Sequence, residues 1–178
     1  MSTGKAAVTG DREALLEQWM QEYGTRILHL AFFYLKDRQL AEDVTQEVFL
    51  KAYQSMDEFR GESAVYTWLY RIAVNLCRDR LRSPWWRRIF LPGELPVVRG
   101  GEAPDEAALE AVRNQEILRH VLSLPLPYRE IVMFYYYEDL STSEIAQITG
   151  LPENTVKTRL HRARKQLKEI LSREGVTA

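Results

Sequence analysis

The stretch from Leu140 to Leu171, LSTSEIAQITGLPENTVKTRLHRARKQLKEIL, constrains this chain more than any other, because it reads as a helix-turn-helix whose second helix is basic. Ser141 and Glu144 form the S/T-x-x-E capping box that opens a helix, Ile145, Ala146 and Ile148 give it an apolar side, and Gly150 supplies the C-terminal stop. Leu151 and Pro152 make a short turn. From about Glu153, the apolar residues Val156, Leu160, Ala163 and Leu167 recur at steps of four, three and four, the stripe of a helix packed on a small core. At roughly 100° per residue the opposite face carries Asn154, Thr158, His161 and Lys165, flanked by Lys157 and Arg162. Those side chains are placed to meet bases, since a helix-turn-helix sets its second helix in the major groove.

Charge supports this reading once its distribution is considered. The formal net charge is −1, yet between Glu153 and Arg173 the bases Lys157, Arg159, Arg162, Arg164, Lys165, Lys168 and Arg173 face only Glu153 and Glu169. The segment is about five charges positive, a phosphate-seeking surface. A second basic block runs from Phe59 to Arg88, where Arg60, Arg71, Arg78, Arg80, Arg82, Arg87 and Arg88 face Glu62 and Asp79. Acidic blocks, Val8 to Glu58 and Glu94 to Glu116, precede each basic one. Two separate basic surfaces point to two separate contacts with nucleic acid.

The 178 residues, 46% hydrophobic and 28% charged, allow one domain or two small ones with real cores. The pattern predicts an all-α chain of two small helical domains joined by a flexible linker, with the helix-turn-helix in the second. Residues 1–10 form an N-terminal tail, 11–82 the first domain, 83–104 the linker and 105–178 the second domain.

In the first domain, Leu15, Leu16, Trp19, Tyr23, Ile27, Leu30 and Ala31 space one helix from Asp11, with Gly24 inside it and Lys36-Asp37-Arg38 at its end. A second helix, about Leu40 to Ser55, buries Ala41, Val44, Val48 and Ala52 and exposes Asp43, Gln46, Glu47 and Lys51. A loop around Arg60 to Ser63 leads to a third helix, Tyr66 to Arg82, in which Tyr66, Trp68 and Tyr70 read first as core. Ser83 to Pro104 holds four prolines and three glycines and breaks the helical pattern. Extended, it reaches about 70 Å. Its Trp85, Trp86, Ile89 and Phe90 are too apolar for an inert tether and fit docking on a domain, a partner or a channel. Beyond it, Asp105 caps a helix through about Leu122, and Pro127 starts another bearing Ile131, Val132 and Phe134.

Several classes are set aside. Cys77 is the only cysteine, which excludes an internal disulfide and a cysteine zinc cluster and leaves a buried structural thiol as the expectation. No Gly-rich phosphate loop or hydrolase motif occurs, and His29, His120 and His161 are scattered, so neither an enzyme, a metal site nor a cofactor is expected. The start lacks an apolar signal core and no run approaches a membrane span, which points to the cytoplasm.

The order of acidic helix, aromatic-basic helix, linker and helix-turn-helix resembles the extracytoplasmic-function (ECF) sigma factors of bacteria. AEDVTQEVFLKAY, Ala41 to Tyr53, is similar to the helix with which that family grips the clamp of the largest polymerase subunit. FRGESAVYTWLYRIAVNLCRDRLR, Phe59 to Arg82, is similar to its minus-ten reader, and PENTVKTRLHRARKQL, Pro152 to Leu167, to its minus-thirty-five reader. The linker matches no family pattern.

The resemblance implies a protein that joins core RNA polymerase, directs it to promoters of a stress or envelope regulon, helps separate the strands and answers to an anti-sigma factor. It places Asp43, Gln46, Glu47 and Lys51 on polymerase. Arg60, Ser63, Ala64, Tyr66, Trp68, Arg71, Asn75 and Arg78 fall on the single-stranded minus-ten element. Asn154, Thr155, Lys157, Thr158, His161, Arg162, Arg164 and Lys165 fall on the duplex minus-thirty-five element. The residue chemistry agrees: Arg71, Asn75, Arg78 and Arg82 fall at three- and four-residue steps, a stripe that can follow a strand, and the Asn75 amide both donates and accepts. Two other readings stay open from the residues. One is a helix-turn-helix regulator that is not a polymerase subunit and carries an N-terminal sensing or dimerising domain. The other is a polymerase inhibitor, which has no need of two basic readers.

Overall fold

The structure, a computed structural model, describes residues 3–59, 63–83 and 117–173. Arg60, nearly all of the linker with Trp85, Trp86, Ile89 and Phe90, and the expected cap at Asp105 lie outside the described residues. Among the described residues all regular structure is helical, and it divides into two compact units.

The first unit is built from α1 (Thr3–Leu35), α2 (Arg38–Gln54), a 3-10 turn at Met56–Glu58 and α3 (Val65–Arg82). Helix α1 begins at Thr3 instead of Asp11 and runs unbroken through Gly24, where an added Cβ would meet nothing within 4 Å. It buries Trp19, Ile27, Leu30, Ala31 and Tyr34, while Leu15 stays exposed. The Lys36-Asp37 junction is punctuated twice. Lys36 takes a left-handed φ of 56°, ending α1, and the Asp37 carboxylate accepts from the Leu40 N–H at 2.9 Å, capping α2.

Helix α2 buries the expected Ala41, Val44, Val48 and Ala52, and Phe49 besides. Helix α3 starts at Val65, after Ala64 in extended conformation with no side-chain cap, and buries Leu69, Tyr70, Ala73, Val74, Leu76 and Cys77. The three helices pack on one another pairwise. Each fully buried aliphatic side chain contributes about 1.5–3 kcal/mol, so this shared core dominates the stability of the unit. Trp19 meets Trp68 edge-on at 5.8 Å and Phe59 at 6.3 Å, and Phe59 lies 5.0 Å from Trp68, which ties α1 to α3 and to the segment before it. Burial pushes the Cys77 thiol up to about 12, against a smaller opposing pull from Arg80. It is a packing residue, as expected.

The second unit comprises a helical segment at 117–123 (α4), α5 (Leu126–Val132), a π-helical turn at Met133–Tyr137, α6 (Thr142–Thr149) and α7 (Glu153–Arg173). Pro125 occupies the N-cap of α5 and Pro127 its first turn, where a missing N–H costs no hydrogen bond. Arg129 is buried, and one of its terminal nitrogens donates to the carbonyls of Leu122 at 3.1 Å and Leu124 at 3.4 Å, satisfying the end of α4. Ile131, Val132, Met133 and Phe134 form the core against which α7 packs. The π turn is absent from the sequence reading. Its aromatic run closes with the Glu138 N–H on the Met133 carbonyl at 3.3 Å, followed by Asp139 in the left-handed region at φ 52°.

Candidate nucleic-acid interface

The helix-turn-helix assembles from the signals that announced it. The Ser141 hydroxyl accepts from the Glu144 N–H at 3.2 Å, and the Glu144 carboxylate accepts from the Ser141 N–H at 2.8 Å, so both halves of the capping box are made. Gly150 sits at φ 73°, a left-handed position that L side chains adopt at a cost, and its N–H closes on the Ala146 carbonyl. The Thr142 hydroxyl donates to Glu153 at 2.7 Å, joining the start of α6 to the start of α7. That hydrogen bond, then Lys157 at 2.9 Å, holds the Glu153 carboxyl below its ordinary range.

Along α7, Val156, Leu160 and Ala163 are buried and Leu167 partly so, while Asn154, Thr158, His161, Arg162 and Lys165 all face solvent. Thr155 is half-buried at the edge of that face. The basic side chains divide by partner. Arg159 leaves the open surface to pair with the buried Glu130 at 2.9 Å, pinning α7 to α5. Lys157 reaches back one turn to Glu153. The Nε of Arg164 donates to the Tyr136 hydroxyl at 2.8 Å, and its guanidinium lies 5.2 Å from the Tyr135 ring centre and 5.6 Å from that of Tyr136. Helix α7 thus presents a polar and cationic face around His161, with Arg164 fixed at its flank by the π-helical tyrosines. Sequence reasoning passed over those tyrosines, although a run of consecutive aromatics after a helical stripe was a visible sign.

In the first unit, Arg71, Asn75 and Arg82 are exposed on α3 and Arg78 is partly buried on the same side. Ser63 is half-buried and Ala64 exposed just ahead of the helix. Tyr66 is half-buried, its ring 6.1 Å from that of the buried Tyr70. Trp68 is engaged by Trp19 and Phe59 and contributes to the cluster that positions α3. On α2, Asp43, Gln46 and Lys51 are exposed, whereas Glu47 is partly covered, its carboxylate 2.7 Å from Arg80 and 3.8 Å from Lys51. The link from Arg80 to Glu47 was invisible to helical spacing, because it joins two helices. Among the described residues no cluster of His, Cys, Asp and Glu is arranged to hold a metal ion, and no helix is long and apolar enough to cross a membrane.

Two family models match these units: Sigma-70 region 2 over residues 19–87 and Sigma-70 region 4 over residues 114–167. The chain is 33% identical, over 94% of both chains, to the ECF RNA polymerase sigma factor SigW of Bacillus subtilis. It is 35% identical to the ECF RNA polymerase sigma-E factor of Escherichia coli over 70% of each chain. The chain belongs to the ECF RNA polymerase sigma factors. It is an alternative sigma factor, a DNA-binding protein of transcription initiation, and the reading as a regulator outside polymerase gives way because region 2 accompanies the helix-turn-helix.

Solved folds agree. The sigma factor RpoE of Bartonella quintana, in complex with the anti-sigma factor NepR, superposes with a TM-score of 0.68 at 22% identity over 88% of this chain and 96% of that one. CnrH, solved with the cytosolic domain of CnrY, gives 0.64 at 24% over 90% and 89%.

Proposed function

We propose that the sigma factor divides its work among three surfaces. Asp43, Gln46, Glu47 and Lys51 on α2 engage core polymerase. The segment Arg60 to Ala64 with Tyr66, Arg71, Asn75 and Arg78 captures the non-template strand of the minus-ten element, and Trp68 supports that face from within. Asn154, Thr155, Lys157, Thr158, His161, Arg162, Arg164 and Lys165 dock on the duplex minus-thirty-five element, with Arg164 and Lys165 on phosphates and the others nearer bases.

The observation that carries this reading is the pair of solvent-facing polar stripes, Arg71-Asn75-Arg82 on α3 and Asn154-Thr158-His161-Lys165 on α7, each opposite a buried apolar stripe. Cations on such a stripe neutralise phosphates, and amides, imidazoles and hydroxyls read base edges. Trp68 acts through packing, since its ring faces Trp19 and Phe59, while Tyr66, at the start of α3, borders the base pocket. The protein works in the cytoplasm as a non-enzymatic subunit, serves a stress or envelope regulon and is held in check by an anti-sigma factor. The sigma-anti-sigma complexes among the similar solved structures motivate that last partner.

The test uses holoenzyme on duplex and on pre-melted promoters. Asn75→Ala should slow open-complex formation, read by permanganate reactivity of promoter thymines, and should recover on the pre-melted template with minus-thirty-five binding intact. Normal melting of the duplex by this variant, with transcription equally poor from both templates, would place Asn75 after strand capture and refute the assignment.

A further inference from the structure

The π-helical turn of the second unit gathers side chains to which the helix-turn-helix pattern gives no task. Consecutive residues leave an α-helix about 100° apart and do not ordinarily share a neighbour. In the turn at Met133–Tyr137 they do: the Tyr135 and Tyr136 rings lie 5.0 Å apart at 75°, and their centres stand 5.2 and 5.6 Å from one guanidinium, that of Arg164 on α7. The Arg164 Nε donates to the Tyr136 hydroxyl at 2.8 Å. A guanidinium gripped by its Nε edge keeps its two terminal nitrogens for a further acceptor, and a hydroxyl that accepts from Nε keeps its own proton to donate. The pair stands on open surface. Arg164 is exposed, Tyr136 is 54% exposed, and Lys168, one turn along the same stripe of α7, is exposed as well. An arginine ordered by two rings, with a hydroxyl beside it, offers several donors to one acceptor group that carries several oxygens. Single π turns recur at functional sites, where they re-aim side chains in this way.

We propose that Tyr136 and Arg164 form a two-residue clamp for one backbone phosphate of duplex DNA, in which the terminal nitrogens of Arg164 and the Tyr136 hydroxyl donate to oxygens of the same phosphate. Tyr135 is a positioning residue in this scheme, its ring limiting the orientations open to the guanidinium. The clamp sets where α7 lies along the groove and carries no sequence information, since phosphate contacts position and base contacts specify. Ordering the arginine before DNA arrives reduces the side-chain freedom lost on docking. The proposal rests on the reading of α7 as the duplex-facing helix.

Holoenzyme and the duplex that it selects from a random-sequence pool test the clamp, with thermal melting of each variant as a control. Tyr136→Phe keeps the ring and removes the hydroxyl. It should weaken binding about three- to tenfold, equally on selected and unrelated duplexes, and leave the melting temperature in place. Arg164→Ala should weaken binding about tenfold and lower the salt slope by about one, and adding Tyr136→Phe to it should cost less than about twofold more. Neutral methylphosphonate linkages, placed one at a time, give a readout that a merely structural tyrosine does not move. One linkage should weaken the parent, weaken Tyr136→Phe less and leave Arg164→Ala unaffected. Should Tyr136→Phe lower the melting temperature, Arg164→Lys carries the test, because it keeps the charge and loses the fork. Full affinity in that variant overturns the clamp. If Arg162→Ala and Arg164→Ala both leave affinity and sequence preference unchanged, the reading of α7 fails and the clamp with it. If Arg162→Ala shifts the preference while Tyr136→Phe binds as the parent does, the clamp alone is overturned. A Tyr136→Phe variant that assembles poorly with core polymerase, yet binds DNA normally once assembled, would assign the tyrosine to a protein partner and overturn the proposal.

Discussion

In the first unit, order is imposed by large side chains that arrive from distant segments. Trp19 of α1, Phe59 of the connecting segment and Trp68 of α3 interlock, and α3 begins with no side-chain cap at all. In the second unit the helix-turn-helix is shaped by residues that act on their own neighbours: Ser141 and Glu144 open α6, Gly150 closes it, and α7 starts three residues later at Glu153. One unit depends on tertiary packing to decide where helices start. The other carries its start and stop signals in the chain itself. Under the proposed function, a helix meant for a groove of fixed width gains from ends that are locally set, because where α7 begins is then fixed by its own neighbours.

That contrast can be broken most sharply at Trp19. Trp19→Ala should cost about 3–5 kcal/mol, since it removes a buried aromatic that anchors two others. Chemical denaturation followed by tryptophan fluorescence measures it, and a loss under about 1 kcal/mol would mean that the first unit is not held by this cluster. Gly150→Ala comes next, at about 1–2 kcal/mol, for the left-handed φ of 73° penalises a Cβ although space is open around it. Circular dichroism melting checks the cost, and a neutral result would remove backbone conformation as the determinant of the turn. The smallest effect has the opposite sign. Gly24→Ala should stabilise the protein by about 0.5–1 kcal/mol, because Gly24 lies inside an unbroken helix and a Cβ there meets nothing within 4 Å. Two glycines with equal room and opposite outcomes isolate φ as the deciding variable.

The same contrast explains what could be read in advance. Caps, the glycine stop and the stripe of α7 are short-range features, and the helix-turn-helix was legible residue by residue. So was the buried stripe of α2, apart from Phe49. The start of α1 was not, since nothing in TGKAAVTG caps a helix at Thr3. The π turn at Met133–Tyr137 escaped because its closure depends on how the aromatic run packs over α7, with Tyr135 and Tyr136 meeting Arg164. Partner choice among the charged groups was likewise hidden: Arg159 and Glu130 stand 29 positions apart in sequence, and Arg80 and Glu47 stand 33 apart. Counting bases on a helix gives its charge. It does not reveal which of them the fold has already engaged.

Cys77 has a practical consequence for following this protein at work. It is the only thiol in the chain, it is buried, and its ionisation is pushed up to about 12, so at neutral pH almost none of it is thiolate. The native fold should therefore react slowly with maleimide dyes without any residue being removed, which a labelling time course checks. A cysteine introduced on the open face of α7, or beside Gln46 on α2, becomes the single reactive handle, and a dye placed there tests the proposed docking on duplex DNA or on polymerase one molecule at a time.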